Sequence, residues 1–256
     1  MQIKNDTFRL DGKTALVTGG GKGIGLAITR HLIHAGATVI ITGRTEATLI
    51  EACEMLGSKV SYFVNDIADY NSSQKLVETI AGKHKNIDIL VNNAGINLKK
   101  WATETSAEEF EKIIATNLTG VHVLTSLVLK QWMIPQQSGS VIFIASMASL
   151  FGIPQVIAYS SAKSGLIGLM RTLAVEVGQH QIRSNAIAPG WIETDMSARA
   201  MASDPKRKEK IINRTPLGRF GTIDDIGLTS VFLASDASSY ITGAIIPVDG
   251  GVSIGF

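Results

Sequence analysis

Tyr159 and Lys163 stand four residues apart in the stretch AYSSAKSG, residues 158 to 165, with only small or polar residues between them. In a helix, positions i and i+4 share one face with Cβ atoms about 5 to 6 Å apart, so a helical reading brings phenol and ammonium together. A free phenol titrates near 10, which makes it a ready donor and a poor base at neutral pH. A cation within about 4 to 6 Å favours the phenolate and lowers that value by roughly 1 to 3 pH units, toward the range where acid/base catalysis works best. The spacing alone equally describes an amphipathic helix with a tyrosine at its edge and a solvated lysine, and a two-residue pattern leaves both readings open.

A second candidate is TGGGKGIG, residues 18 to 25. It follows the apolar run TALVT and opens a helical stretch reaching to about Ala35. Glycines there permit a tight turn and let a phosphate approach the N–H groups of a helix N-terminus, whose dipole favours anions. The literal G-x-G-x-x-G pattern does not fit, because Lys22 stands three before Gly25; the wider G-x-x-x-G-x-G of Gly19, Gly23 and Gly25 does. The alternative is a glycine-rich turn that holds nothing.

Such residues need elements to place them. Short apolar runs, many β-branched, recur at 14 to 18, 38 to 42, 60 to 64, 87 to 92, 140 to 146, 182 to 188 and 244 to 248, separated by helix-length segments. Runs apolar on both faces predict buried parallel strands. The expected fold class is α/β, a single-domain Rossmann-type doubly wound parallel sheet of about seven strands with helices on both faces. No linker, repeat or low-complexity segment divides the chain, so residues 1 to 256 are read as one domain.

Composition narrows the function. With 24 basic and 22 acidic residues and a formal charge of +2, the chain lacks the footprint of a nucleic-acid or anionic-membrane partner. Cys53 is the single cysteine, in the helical setting TLIEACEML, which excludes an internal disulfide and suits a small packed thiol. The five histidines show no metal-ligand spacing, and no metal is expected. The N-terminus lacks the apolar core of a signal peptide, and no uninterrupted apolar run approaches the roughly 18 residues of a membrane span. A cytoplasmic location is expected.

TGGGKGIG, NNAG (92 to 95), Asn117 of ATNLTG, Ser146 of IASMAS, YSSAK (159 to 163) and PGWIET (189 to 194) occur in the order seen in short-chain dehydrogenases/reductases, and the resemblance runs from Asp11 to about Gly251. It implies a nicotinamide dinucleotide cofactor, with Tyr159 as catalytic acid/base, Lys163 as its tuning partner and a ribose ligand, and Ser146 holding the substrate oxygen. It implies that Asn117 binds a water linking Lys163 to solvent; the plain alternative is a polar residue that kinks or caps a helix. Gly19, Lys22, Gly23, Ile24 and Gly25 would hold the cofactor's phosphates, Asn93, Ala94 and Gly95 the adenosine ribose side, and Asp66 with Ile67 the adenine. Pro189, Gly190, Ile192 and Thr194 complete the implied cofactor set. Simple turn chemistry remains the other account of Asp66 and Asn93.

Sites that choose NAD usually carry a carboxylate after the second strand. Here that place reads Gly43 and Arg44, and Glu46 falls in the first turn of the next helix, where an acid suits the dipole. Arg44 with Lys22 favours NADP(H), with NAD(H) left open, because both could also be solvated surface charges. A 2′-phosphate preference points to ketone reduction. A dinucleotide-sensing protein without chemistry would be expected to lose the Tyr159/Lys163 pair.

The expected substrate walls are 96 to 101, 147 to 155 and a lid over about 190 to 212. Trp191, Met196 and Met201 are candidates to cover an apolar group or to pack the lid, and Lys99, Lys100 and Arg199 to attract an anion, with solvated surface charge as the commoner account of the three cations. The pattern is similar to 3-oxoacyl-carrier-protein reductases and to gluconate-type sugar dehydrogenases. Apolar helix faces around 106 to 131 and 155 to 178, which this family pairs between subunits, imply a homo-oligomer, commonly a tetramer.

Overall fold

Alternation along the first strand sets the architecture. In the computed structural model, which describes residues 7–194 and 205–255, β1 (Thr14–Thr18) is fully buried beyond its first residue. Leu16 packs into one core cluster, while Ala15 and Val17 pack into another. Successive side chains of a strand point to opposite faces, so two cores on either side require a run that is apolar throughout.

The seven strands are β1, β2 (Thr38–Gly43), β3 (Val60–Val64), β4 (Ile89–Asn92), β5 (Gly139–Ile144), β6 (Ile182–Pro189) and β7 (Ile245–Val248). They form one sheet in the order β3-β2-β1-β4-β5-β6-β7, with every neighbouring pair parallel. The chain winds outward from β1 to β3 and then returns to the other side of β1 with β4. That reversal opens a crevice beyond the carboxyl ends of β1 and β4, where sheets of this kind bind ligands.

Helices cover both faces. α1 (Gly23–His34), α2 (Glu46–Leu56) and α7 (Ile223–Ala234) bury Ile28, Leu32, Leu49 and Ile226 against one face. The other face receives α3 (Tyr70–Ala81), α4 (Ala107–Gln136) and α5 (Ile157–Val177) through Leu76, Val121, Leu124, Trp132, Leu166 and Met170. α6 (Pro205–Arg214) lies outside these layers. α4 is started by a capping box between Ser106 and Glu109 and carries two π-turns, at Ala115–Thr119 and Leu129–Met133. It is long and apolar enough to cross a membrane, but half of its most apolar window is buried inside this fold.

The predicted strands are all present. β5 stops at Ile144, two residues earlier than the sequence pattern suggests, because the Ser146 side chain turns back to cap the short 3-10 turn Met147–Ser149.

Candidate active site

The glycine turn is clamped from below. A Cβ on Gly25 would lie 2.1 Å from the Gly19 carbonyl oxygen and 2.6 Å from Asn93 Nδ2, so the loop folds tightly only with glycine there. Asn93 Nδ2 donates to the carbonyls of Thr18 (2.9 Å) and Gly19 (3.2 Å), and Thr18 Oγ1 accepts from the N–H groups of Asn93 and Ala94, both at 3.0 Å. The Asn93 side chain therefore serves the loop and not the cleft.

Above the turn, α1 begins with no side-chain cap and no acid in its first turn. Its first N–H groups are left for an anion. Gly23, in the left-handed region at φ +54°, faces open space. A cleft of about 150 Å³ runs along this edge, lined by Gly19, Lys22, Arg44, Asp66, Ile67, Ala94 and Gly95 among others. Gly23, Ile24 and Gly25 build the turn and helix start beside it. A dinucleotide fits these residues: small backbone at the phosphates and unspent donors at the helix end.

Asp66 spends one carboxylate oxygen on the Ala68 N–H at 3.0 Å, an Asx-type turn, and still lines the cleft. Lys22 and Arg44 are exposed and, among the described residues, their side chains make neither a hydrogen bond nor an ion pair. Glu46 opens α2 and accepts from Tyr62 Oη at 3.2 Å, as its place in a first helical turn suggests. Thr42, Thr48, Leu49, Asn65 and Thr116 also line the cleft, as does Ile96, which was expected on the substrate side. The sequence gives no motif for the first five; for Thr42 and Asn65 the signal is position at the carboxyl end of a strand.

At the far end of the groove α5 places Tyr159 and Lys163 one turn apart, with Lys163 Nζ 5.7 Å from the centroid of the phenol ring. Lys163 is 4% exposed, and its Nζ donates to the Ile144 carbonyl at 2.5 Å. Burial pushes its pKa down to about 8, which still leaves it mainly charged at neutral pH. Burial also raises the Tyr159 pKa, with a hydrogen bond from Ser146 opposing the shift. This corrects the expectation drawn from spacing: the protein alone does not bring the phenol toward neutrality, because the ammonium is held by Ile144 and the pocket penalises phenolate.

Ser146, buried just beyond β5, accepts the Ala148 N–H at 3.1 Å while reaching Tyr159. Asn117 is completely buried in the first π-turn of α4. Its Oδ1 accepts from Ile96 N and its Nδ2 donates to Ile96 O, each at 2.8 Å. The amide thus clips the segment after β4 to α4. A Cβ on Gly95 would lie 3.3 Å from Asn117 Oδ1 and 3.7 Å from Lys163 Nζ, so the clip borders the lysine.

On the substrate side, Lys100 is not an available cation: its Nζ is 2.9 Å from both Glu109 carboxylate oxygens. Its backbone N–H donates to Gln155 at 2.7 Å, stitching one wall to the other. Lys99 remains exposed. Trp191 packs on Ile211 and Phe220, the lid-packing alternative. Pro189 ends β6, Gly190 N–H bonds Val248, and Ile192 bridges to Gly221, leading to half-buried Thr194. Met196, Arg199 and Met201 lie outside the described residues. Cys53 is half-buried and its thiol pKa is raised by burial. Among the described residues no group of three or more His, Cys, Asp or Glu side chains could hold a metal ion.

Comparison with known proteins adds four findings. The profile of a family described as enoyl-(acyl carrier protein) reductase matches residues 19–253. The chain is 39% identical over 250 residues to the 3-oxoacyl-[acyl-carrier-protein] reductase of Thermotoga maritima, covering 96% of this chain and 100% of that one. It is 40% identical over 253 residues to the 2-dehydro-3-deoxy-D-gluconate 5-dehydrogenase of Bacillus subtilis, covering 98% of each. The crystal structure of a gluconate 5-dehydrogenase from Burkholderia cenocepacia, in complex with NADP and tartrate, superposes with a TM-score of 0.93 at 32% identity over 98% of this chain and 99% of that one.

Proposed function

The chain belongs to the short-chain dehydrogenase/reductase family, and we propose that it is an NADP(H)-dependent reductase of ketones, with Tyr159 exchanging the substrate proton. The observation that carries this reading is the convergence of Tyr159, Lys163 and Ser146 at the carboxyl edge of the sheet, where Lys163 borders Gly95 of the cleft beside the glycine turn. The dinucleotide supplies the hydride when bound.

The chain's own residues do the rest. Ser146 Oγ and Tyr159 Oη, close enough that the serine opposes the rise in the phenol's pKa, present two hydroxyls to one substrate oxygen. In the reductive direction Tyr159 donates its proton to that oxygen as negative charge develops there. A raised pKa suits this resting role, since the phenol stays protonated and poised to donate. Lys163 lies near enough to stabilise the phenolate left behind, and its position in the pocket excludes water from the charge it faces. Asn117, by holding Ile96 and the backbone beside Lys163, is a positioning residue.

NADP(H) preference rests on Arg44 and Lys22, two cations without a side-chain partner among the described residues on the wall of the adenosine end, with no carboxylate at Gly43 to receive ribose hydroxyls. Relatives named for 3-oxoacyl thioester and for sugar-acid chemistry are similar to the chain to the same degree, so both substrate classes are proposed. Assembly into a homotetramer is supported by α4, whose apolar stretch is only half covered within one subunit.

The test is a panel of β-ketoacyl thioesters, keto-sugar acids and aryl ketones with NADPH and NADH. Turnover of at least one class with NADPH is expected. Cofactor binding without turnover of any class would identify a dinucleotide-sensing protein instead.

A further inference from the structure

The loop that follows Ser146 meets α6 through a contact between a cation and a ring. Arg214, the last residue of α6, sets its guanidinium 4.9 Å from the centroid of the Phe151 ring. Phe151 N–H bonds the Met147 carbonyl at 3.1 Å, so this ring rides on the first turn after the serine that meets Tyr159. One turn earlier on α6, Ile211 is buried against Phe220 and Trp191. The helix is thereby seated at two points, and Arg214 is the one that faces the Ser146 loop.

A guanidinium stacked on a ring uses its face and leaves its N–H edges free for a planar, two-oxygen partner. Among the described residues the Arg214 side chain makes no hydrogen bond and no ion pair. Neither do Lys208 and Lys210 on the same helix, whose sequence PKRKEKIINR carries five cations and one acid. A helix C-terminus accounts for a cation at position 214. It does not account for a ring holding that cation in place with its donors unspent, next to further unpaired positive charge. On the opposite wall Lys100 is neutralised by Glu109.

We infer that Arg214 is a specificity residue: it receives the carboxylate or phosphate of an anionic carbonyl substrate, with Phe151 holding the guanidinium plane. The inference rests on the Tyr159 site being a carbonyl or alcohol oxidoreductase. No bond to the anion is made or broken in the reaction; the contact fixes the end of the substrate remote from the reacting carbon.

The experiment compares matched substrates that differ only in the charged group: a keto-sugar acid with its neutral keto-sugar, and an acetoacetyl thioester of 4′-phosphopantetheine with that of pantetheine. Each is assayed with NADPH on the wild type, Arg214→Met and Arg214→Lys. The wild type should favour the charged member of one pair. Arg214→Met, which keeps length and apolar contact with Phe151, should erase roughly 10- to 100-fold of that preference through KM, with the neutral member unchanged; this is the scale of a charged hydrogen bond partly screened by solvent. Arg214→Lys should keep part of it, retaining charge but losing the fork. Which pair responds tells carboxylate from phosphate. Equal losses on charged and neutral substrates, or a preference indifferent to Arg214, would overturn the assignment. Thermal shifts by D-gluconate and by 4′-phosphopantetheine are read in parallel. If neither probe gives an Arg214-dependent shift, the assignment fails whatever the turnover; a silent carbonyl panel alone counts against the oxidoreductase reading.

Discussion

The two ends of the groove use positive charge in opposite ways. At the catalytic end Lys163 is 4% exposed, is held by the Ile144 carbonyl and has its pKa pushed down to about 8. At the adenosine end Lys22 and Arg44 are exposed and unpaired among the described residues. A charge taken out of water interacts strongly with its neighbours and is sensitive to pH, whereas an exposed one is screened and acts by adding contacts to whatever anion arrives. The buried end is therefore suited to moving a proton, and the wet end to choosing a partner.

Removing the phenol should produce the largest effect. Tyr159→Phe is expected to lower kcat by about 10² to 10⁴, the usual contribution of a positioned acid/base, with cofactor affinity retained. Steady-state kinetics and a nucleotide titration check this; near wild-type turnover from pH 6 to 9 would end the assignment of proton transfer to the buried end.

At the wet end, NADPH should be preferred over NADH by roughly 10² to 10³ in kcat/KM, since a hydrogen bond to a charged group is modest and solvent reduces it. Gly43→Asp with Arg44→Leu should reverse the sign. A side chain at Gly43 would meet Leu49 at 3.4 Å, an ordinary contact, so the reversal is sterically accessible. Both cofactors are measured in both proteins at one salt concentration; equal or better NADH use by the unmodified enzyme would reduce Lys22 and Arg44 to surface cations.

Asn117→Ala tests the clip between the ends. It leaves the Ile96 N–H and C=O without their partner, at a cost of about 2 to 3 kcal/mol in unfolding free energy. Denaturant unfolding should show that loss together with a fall in kcat. A stability equal to wild type would mean that water replaces the amide without penalty.

The smallest effect concerns pH. The folded Lys163 pKa, about 8, lies below the 10.5 of an ordinary lysine, so between those values the unfolded chain binds more protons than the folded one. Stability from this group therefore rises as pH climbs from about 8 toward 10.5, and its cost is fully present below 8. Relative to Lys163→Met, the wild type should gain at most about 2 kcal/mol between pH 7 and 9.5. Thermal melts of both proteins at the two pH values measure it; a pH-independent gap would show that the lysine is solvated in the folded state.

Much of the site could be read along the chain because its parts are local. Tyr159 and Lys163 are one turn apart by spacing, and Gly19, Gly23 and Gly25 announce a turn whose close contacts exclude side chains at Gly25. Asn93 and Lys100 show where local reading stops. NNAG marks a segment near the cofactor, yet Asn93 bonds the carbonyls of Thr18 and Gly19, more than seventy residues earlier. Lys100 reads as a free cation until α4 brings Glu109 against it.

The sequence by itself determined the seven parallel strands, the two-sided core and the pairing of Tyr159 with Lys163 on one helix face, because β alternation, helical periodicity and i, i+4 spacing are properties of neighbours along the chain. Only the tertiary structure decided that Tyr159 resists ionisation, that Asn117 is a clip, and that Arg214 stacks on Phe151. Each of these depends on desolvation or on partners supplied by distant segments, and no spacing encodes which groups folding will deprive of water.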